Sequence, residues 1–353
     1  MSRSPRRRPT QKAGAERAPV LIDLALQGGG SHGAFTWGVL DRLLEEPWLQ
    51  IAAASGTSAG AMNAAVLAHG WREGGATGAR EALDAYWERV AQAALMSPLQ
   101  RSPLDRMFGR WSMGNSPAYL AMDMVTRVFS PYDLNPMGLN PLHGILRQSI
   151  DFERLRESPV KLFITATNVR TGRGRVFRNE EVTPDVLLAS ACLPTMFQAI
   201  EIEGEHYWDG GYAGNPTITP LVHGSEAVDV VLVQINPVER PELPRSAGDI
   251  LNRLNEISFN SPLMKELRMI AVLQQVADPG HGEGERWANM RMHRIMTDEL
   301  SHLDASSKLN AEREFLQMLK TEGRRAAEAF LHAHGDDLGQ RSSMDLAPYL
   351  GWA

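Results

Sequence analysis

Twice in the first seventy residues an apolar run ends in a glycine-rich turn and the chain restarts as a helix. The first run, Val20-Leu21-Ile22-Asp23-Leu24-Ala25-Leu26, leads into Gln27-Gly28-Gly29-Gly30-Ser31-His32-Gly33. Residues 34–46 then place Phe35, Val39, Leu40, Leu43 and Leu44 among Glu and Arg, the pattern of a helix with one apolar face. The second run, Ile51-Ala52-Ala53-Ala54-Ser55, leads into Gly56-Thr57-Ser58-Ala59-Gly60 and an Ala-rich stretch carrying Met62, Val66 and Leu67. Short apolar runs of this kind read as strands buried on both faces, so the chain is expected to be an α/β protein with a mainly parallel sheet.

The second turn reads G-x-S-x-G. A serine on so sharp a strand-to-helix turn projects its hydroxyl out of the fold, and Gly56 and Gly60 let the backbone bend. The first turn exposes backbone N–H groups at the positive end of a helix, where they can cradle a phosphate or the oxyanion of a tetrahedral intermediate. A third segment, His206-Tyr207-Trp208-Asp209-Gly210-Gly211-Tyr212, puts an acid in a turn among aromatic side chains. A serine needs a neighbouring base to become nucleophilic, and a carboxylate is a useful base near neutral pH only when partly desolvated. His206 also lies close to the acid in sequence, which leaves a Ser-His arrangement open.

The three motifs, in this order, resemble those of the patatin-like phospholipases, a family of lipid acyl hydrolases. The resemblance covers 20–236 and includes the joining segments Thr165-Ala166-Thr167-Asn168 and Ala189-Ser190-Ala191-Cys192-Leu193-Pro194. It implies a three-layer α/β/α sandwich and a carboxylic ester hydrolase that cleaves phospholipids or related acyl lipids without metal or other cofactor. It also implies Ser58 as nucleophile, Asp209 as base of a Ser-Asp dyad, and the Gly28, Gly29 and Gly30 turn as oxyanion hole. His32, Gly33, Gly56, Gly60, Gly210 and Gly211 would support these motifs. The family's glycine loop usually carries Arg or Lys where this chain has His32, so that loop brings no fixed positive charge of its own. Transfer of the acyl group to an alcohol would use the same residues as transfer to water.

Two other classes compete. Gly28-x-Gly30-x-x-Gly33 after a strand also fits the dinucleotide loop of an NAD-type oxidoreductase, but the acid expected about twenty residues later is missing, and the second strand ends in Ser55-Gly56. A lipid-binding protein that keeps the fold with weak turnover is the other.

Composition narrows the setting. With 353 residues, 43 % hydrophobic and 22 % charged, the chain can build one large domain with additions. A net charge of −6 argues against nucleic acid as a partner. No apolar run approaches the ~20 residues of a membrane span. The single cysteine, Cys192, fits a reducing compartment and reads as a packed small side chain. Residues 1–19 form a basic arm without the apolar core of a secretory signal, expected to be disordered and able to touch anionic lipid. The expected location is the cytoplasm, with peripheral contact to membranes or lipid bodies.

Along the rest of the chain, 78–94 reads as a helix, and 95–141 as an irregular Met- and Trp-rich cap over the site. Strands are expected at 161–169 and 228–236. Residues 237–353 read as a mostly helical extension packed on the sheet, with breaks at Pro262 and near Gly323 and a Gly-rich loop at 278–285.

Overall fold

The computed structural model describes residues 17–240, 242–278 and 282–351. Eight strands form one sheet: β1 (Val20–Leu26), β2 (Leu49–Gly56), β3 (Lys161–Asn168), β4 (Gly174–Phe177), β5 (Ile200–Ile202), β6 (Glu205–Asp209), β7 (Asp229–Val233) and β8 (Arg291–Ile295). Their spatial order is β5-β6-β3-β2-β1-β7-β8, with β4 also paired to β3. The run β3-β2-β1-β7-β8 is parallel, whereas β4 and β6 pair antiparallel with β3, and β5 with β6.

Strand periodicity divides the apolar side chains between two cores. Ile22, Leu24 and Leu26 of β1 face a core shared with α1 (Gly33–Leu43) and α2 (Ala59–Leu95), while Ala25 faces one shared with the helix Ala247–Val276. The result is the expected three-layer α/β/α sandwich. Gly74 and Gly75 leave helical geometry inside α2, so its second half is in effect the separate helix expected at 78–94.

Several sequence expectations change. The helix Ala247–Val276 runs through Pro262 unbroken, because Leu263, Met264, Leu267 and Ile270 are buried in the second core and their packing outweighs one lost N–H donor. The helix Arg313–His334 runs equally unbroken through Gly323. That glycine exists for contact: a Cβ at Gly323 would lie 2.0 Å from the Phe35 carbonyl oxygen, and one at Gly38 would lie 1.9 Å from that of Lys320. The two helices therefore pack backbone against backbone. Gly323→Ala or Gly38→Ala is expected to destabilise the fold by about 3 kcal/mol, read by urea denaturation, since backbone atoms must move to admit the methyl group.

The C-terminal third is mostly helical, but it also extends the sheet through β8. Of the segment expected as a Gly-rich loop, residues from Gly282 onward already belong to the helix Gly282–Asn289, and 279–281 lie outside the described residues. The basic arm lies outside them up to residue 16; Arg17, inside them, stacks its guanidinium 3.5 Å from the Trp48 ring centre. The region 95–141 is built of short helices that start with proline, Pro103–Met107, Pro117–Thr126 and Pro131–Leu134. It is tied to the C-terminal third by the buried Arg101–Glu312 pair at 2.7 Å and by Met113 N–H donating to Ser306 Oγ at 2.8 Å.

Candidate active site

Ser58 sits where β2 gives way to α2, with φ 54° and ψ −123°. A side-chain-bearing residue at positive φ is strained by about 1–3 kcal/mol, and the surrounding contacts must hold it there. They do so on every side. The Ser58 N–H donates to Ser190 Oγ at 3.0 Å, and that hydroxyl donates to the Thr165 carbonyl at 2.7 Å. Thr57 Oγ1 donates to the Gly214 carbonyl at 2.7 Å. Gly60 lets the turn press onto the end of β1, where a Cβ would come 2.1 Å from the Leu26 carbonyl oxygen. Gly56 closes β2 and faces Gly60.

The glycine loop lies directly against this turn: a Cβ on Gly28 would be 2.7 Å from the Ser58 Cβ. Gly33 begins α1 and abuts Ala59. Two asparagines clamp Gly28. Its N–H donates to Asn215 Oδ1 at 2.7 Å, and its carbonyl accepts from Asn236 Nδ2 at 2.7 Å. Of the three amides expected to face an oxyanion, that of Gly28 is therefore already engaged in this structure. Those of Gly29 and Gly30 donate to no group among the described residues. His32 is buried, and its Nε2 lies 2.8 Å from Ser307 Oγ. Burial, together with the Lys308 and Arg240 charges, holds its pKa well below the ordinary histidine value, so it is neutral.

Asp209 ends β6, and Gly210-Gly211 turn the chain immediately after it. Oδ1 accepts from the Gly211 N–H at 2.7 Å. Oδ2 is buried without a hydrogen-bond partner among the described residues. The Ser58 hydroxyl is near enough to favour the charged carboxylate, yet no hydrogen bond joins the two side chains. Burial raises the Asp209 pKa to about 7 against the opposing effects of the Gly211 N–H, the Ser58 hydroxyl and Lys308. Tyr207 is buried against Phe177, while Tyr212 packs on Phe259 and is itself raised to about 12 by burial and by Asp209. His206 projects to the opposite side of β6 from Asp209 and is exposed beside Glu201. Cys192 is buried with its Sγ 3.1 Å from the Gln198 carbonyl oxygen, and burial followed by Asp209 pushes its thiol up to about 12.

The family model for patatin-like phospholipases matches residues 24–222, more than half of the chain and the span that holds both turns and Asp209. The chain belongs to the patatin-like phospholipase family. That is a family of lipid acyl hydrolases, and its match assigns the glycine loop to a patatin fold and not to a dinucleotide fold. Among solved structures the chain is similar to VipD from Legionella pneumophila, with 14 % identity over 94 % of this chain and 79 % of that one, at a TM-score of 0.35. The comparison with curated proteins finds no match.

Sequence reading found the patatin motifs but missed the groups packed around them: Ser190, Asn215, Asn236 and Lys308, whose Nζ donates to Asn236 Oδ1. Ser190 lay within a segment that already resembled the family. The two asparagines and the lysine carry no local signal, because their role depends on elements that meet only in the folded chain.

Proposed function

We propose that this patatin-like protein is a serine hydrolase of phospholipase A or esterase type, acting through a Ser58–Asp209 dyad. One observation carries the reading: a serine held at positive φ stands near a buried carboxylate oxygen that has no hydrogen-bond partner among the described residues. In the reaction, Ser58 Oγ attacks the ester carbonyl carbon and its proton passes to Asp209 Oδ2. The carbonyl electron pair moves to oxygen, where the Gly29 and Gly30 amides receive the charge. Collapse breaks the bond to the leaving alcohol, which takes the proton from Asp209 and leaves an acyl-Ser58. Water then attacks, giving its proton to Asp209; the Ser58 ester bond breaks, Oγ regains a proton and a fatty acid leaves.

The acyl chains have apolar surface to meet. Met96, Met107, Phe108, Val128 and Met137 in the 95–141 region are each more than half exposed. No helix among the described residues is long and apolar enough to cross a membrane, and we propose that lipid is met peripherally through this region, which caps the catalytic domain 20–236. A cytoplasmic setting is part of the same proposal, as is the treatment of 237–353 as an extension of that domain.

The test is product analysis of a phospholipid and of short p-nitrophenyl esters with wild-type and Ser58→Ala protein side by side. Fatty acid release that depends on Ser58 supports the reading; equal release from both proteins removes it. The base must be ionised to accept a proton, so kcat/KM is expected to rise through about pH 7, following the raised pKa of Asp209. A profile flat from pH 5 to 7.5 would exclude Asp209 as the base.

A further inference from the structure

His32 leaves the glycine loop without a charge, and its Nε2 is engaged by Ser307. Its Nε2 faces Ser307 Oγ, whose own hydrogen is given to the Asp304 carbonyl at 2.6 Å, so Nε2 must be the protonated nitrogen and donates. A cation does reach the loop, from a part of the chain 276 residues beyond His32. The short turn Ala305–Leu309 packs on the glycine loop so closely that a Cβ on Gly30 (φ +59°) would lie 2.5 Å from the Lys308 carbonyl oxygen. The Lys308 side chain reaches toward the same loop. Its Nζ donates to Asn236 Oδ1 at 2.7 Å, and Asn236 passes the contact on to the Gly28 carbonyl.

The placement is costly in stability and therefore informative. Lys308 makes no salt bridge among the described residues, and its hydrogen-bond acceptor there is a neutral amide. Glu256, on the helix Ala247–Val276, is the acid that faces it most strongly, but both Arg240 and Arg253 already pair with Glu256. Arg240, from the link after β7, repels Lys308; Asp209 attracts it; His32 is neutral beside it. A desolvated ammonium without a carboxylate of its own contributes little to folding, and such groups concentrate at functional sites.

We propose that Lys308 is the positioning cation of the oxyanion site, fixing the glycine loop through Asn236 and setting a positive field in which charge moves from Asp209 to the substrate oxygen. This rests on the Ser58–Asp209 reading. A cation this close to the loop favours the tetrahedral oxyanion over the neutral ester, so it acts on kcat more than on KM. It also favours the ionised form of Asp209. Burial lowers the pKa of Lys308 itself to about 8, which places the loss of its charge within reach of a pH profile.

The experiment measures kcat and KM on a short p-nitrophenyl ester from pH 5 to 9.5 for wild type, Lys308→Gln, Lys308→Arg and Ser58→Ala. Lys308→Gln is expected to lose more than about 10-fold in kcat with KM within about 2-fold, and its acid limb moves to higher pH because Asp209 has lost a neighbouring cation. Lys308→Arg keeps the acid limb near its wild-type position, and the alkaline limb that wild type shows near pH 8 disappears, since a guanidinium stays charged. A folded Lys308→Gln protein with wild-type kcat and an unmoved acid limb overturns the proposal. If Lys308→Gln does not fold, the alkaline limb decides: wild-type activity that holds flat from pH 7.5 to 9.5 also overturns it. Activity that survives in Ser58→Ala defeats the dyad itself, whereas Ser58-dependent activity indifferent to Lys308 defeats only the role of the lysine.

Discussion

Ser58→Ala is expected to reduce acyl release by at least about 10⁴-fold while leaving the fold intact. The hydroxyl oxygen is the only group the substitution removes, and Ser58 Oγ makes no hydrogen bond that the fold depends on among the described residues. The turn is held by the Ser58 N–H on Ser190, by Thr57 on Gly214, and by the close seats of Gly28 and Gly60, none of which the change touches. A methyl group at the same positive φ carries the same strain as the serine. The melting temperature is therefore expected within about 2 °C of wild type, because a change of a few tenths of a kcal/mol shifts a domain of this size no further. Loss of activity together with a large fall in melting temperature would instead make Ser58 a structural residue.

Asp209→Asn is expected to move activity and stability in opposite directions. Asparagine keeps the shape and can still accept from the Gly211 N–H, but it cannot take the Ser58 proton, so kcat should fall about 10³-fold. The stability effect follows from burial. The carboxyl titrates near 3.8 in the unfolded chain and at about 7 in the folded one. Between those values the folded state binds a proton that the unfolded state has released, so stability falls as pH rises from about 4 to 7 and stays reduced above. A shift of this size corresponds to roughly 4 kcal/mol at most, and Asn carries none of it. Urea unfolding at pH 8 is expected to show the variant more stable by about 3 kcal/mol, with the difference shrinking toward pH 4. Equal stabilities at pH 8 would mean that Asp209 is not held charged in a dry site. The group that reduces stability is the one proposed to act as the base, as in other trade-offs between activity and stability.

The parts of this site that were legible in the sequence are those set by local chain geometry. An apolar run followed by glycines and then a helical face can be recognised within fifteen residues, and both β1 with its glycine loop and β2 with Ser58 were recognised in that way. Asp209 stood out only because its Asp-Gly-Gly turn, formed by Gly210–Tyr212 in the fold, resembles the family's third motif. The parts that were not legible depend on partners far along the chain. Asn215 and Asn236 act on Gly28 from 187 and 208 positions away, and Lys308 acts on Asn236 from 72. Gly323 looks like a helix break until α1 is laid against it. The strand β8 reads Arg-Met-His-Arg-Ile, too polar for a buried strand by pattern; His293 is accommodated there by Asp229 Oδ1 at 2.9 Å and Ser343 Oγ at 2.9 Å. Pro262 likewise predicts a break that tertiary packing overrides.

Labelling with a fluorophosphonate, followed by mass mapping of the modified peptide, reads the reactivity of Ser58 itself. Such a reagent bonds only to a serine whose proton can be removed as it attacks, so reaction reports the nucleophile without needing the natural lipid. One adduct is expected, on Ser58, forming at least about 100-fold more slowly in Asp209→Asn. An unmodified Ser58 in folded wild-type protein, or labelling at the same rate with and without the Asp209 carboxylate, would rule out the Ser58–Asp209 dyad.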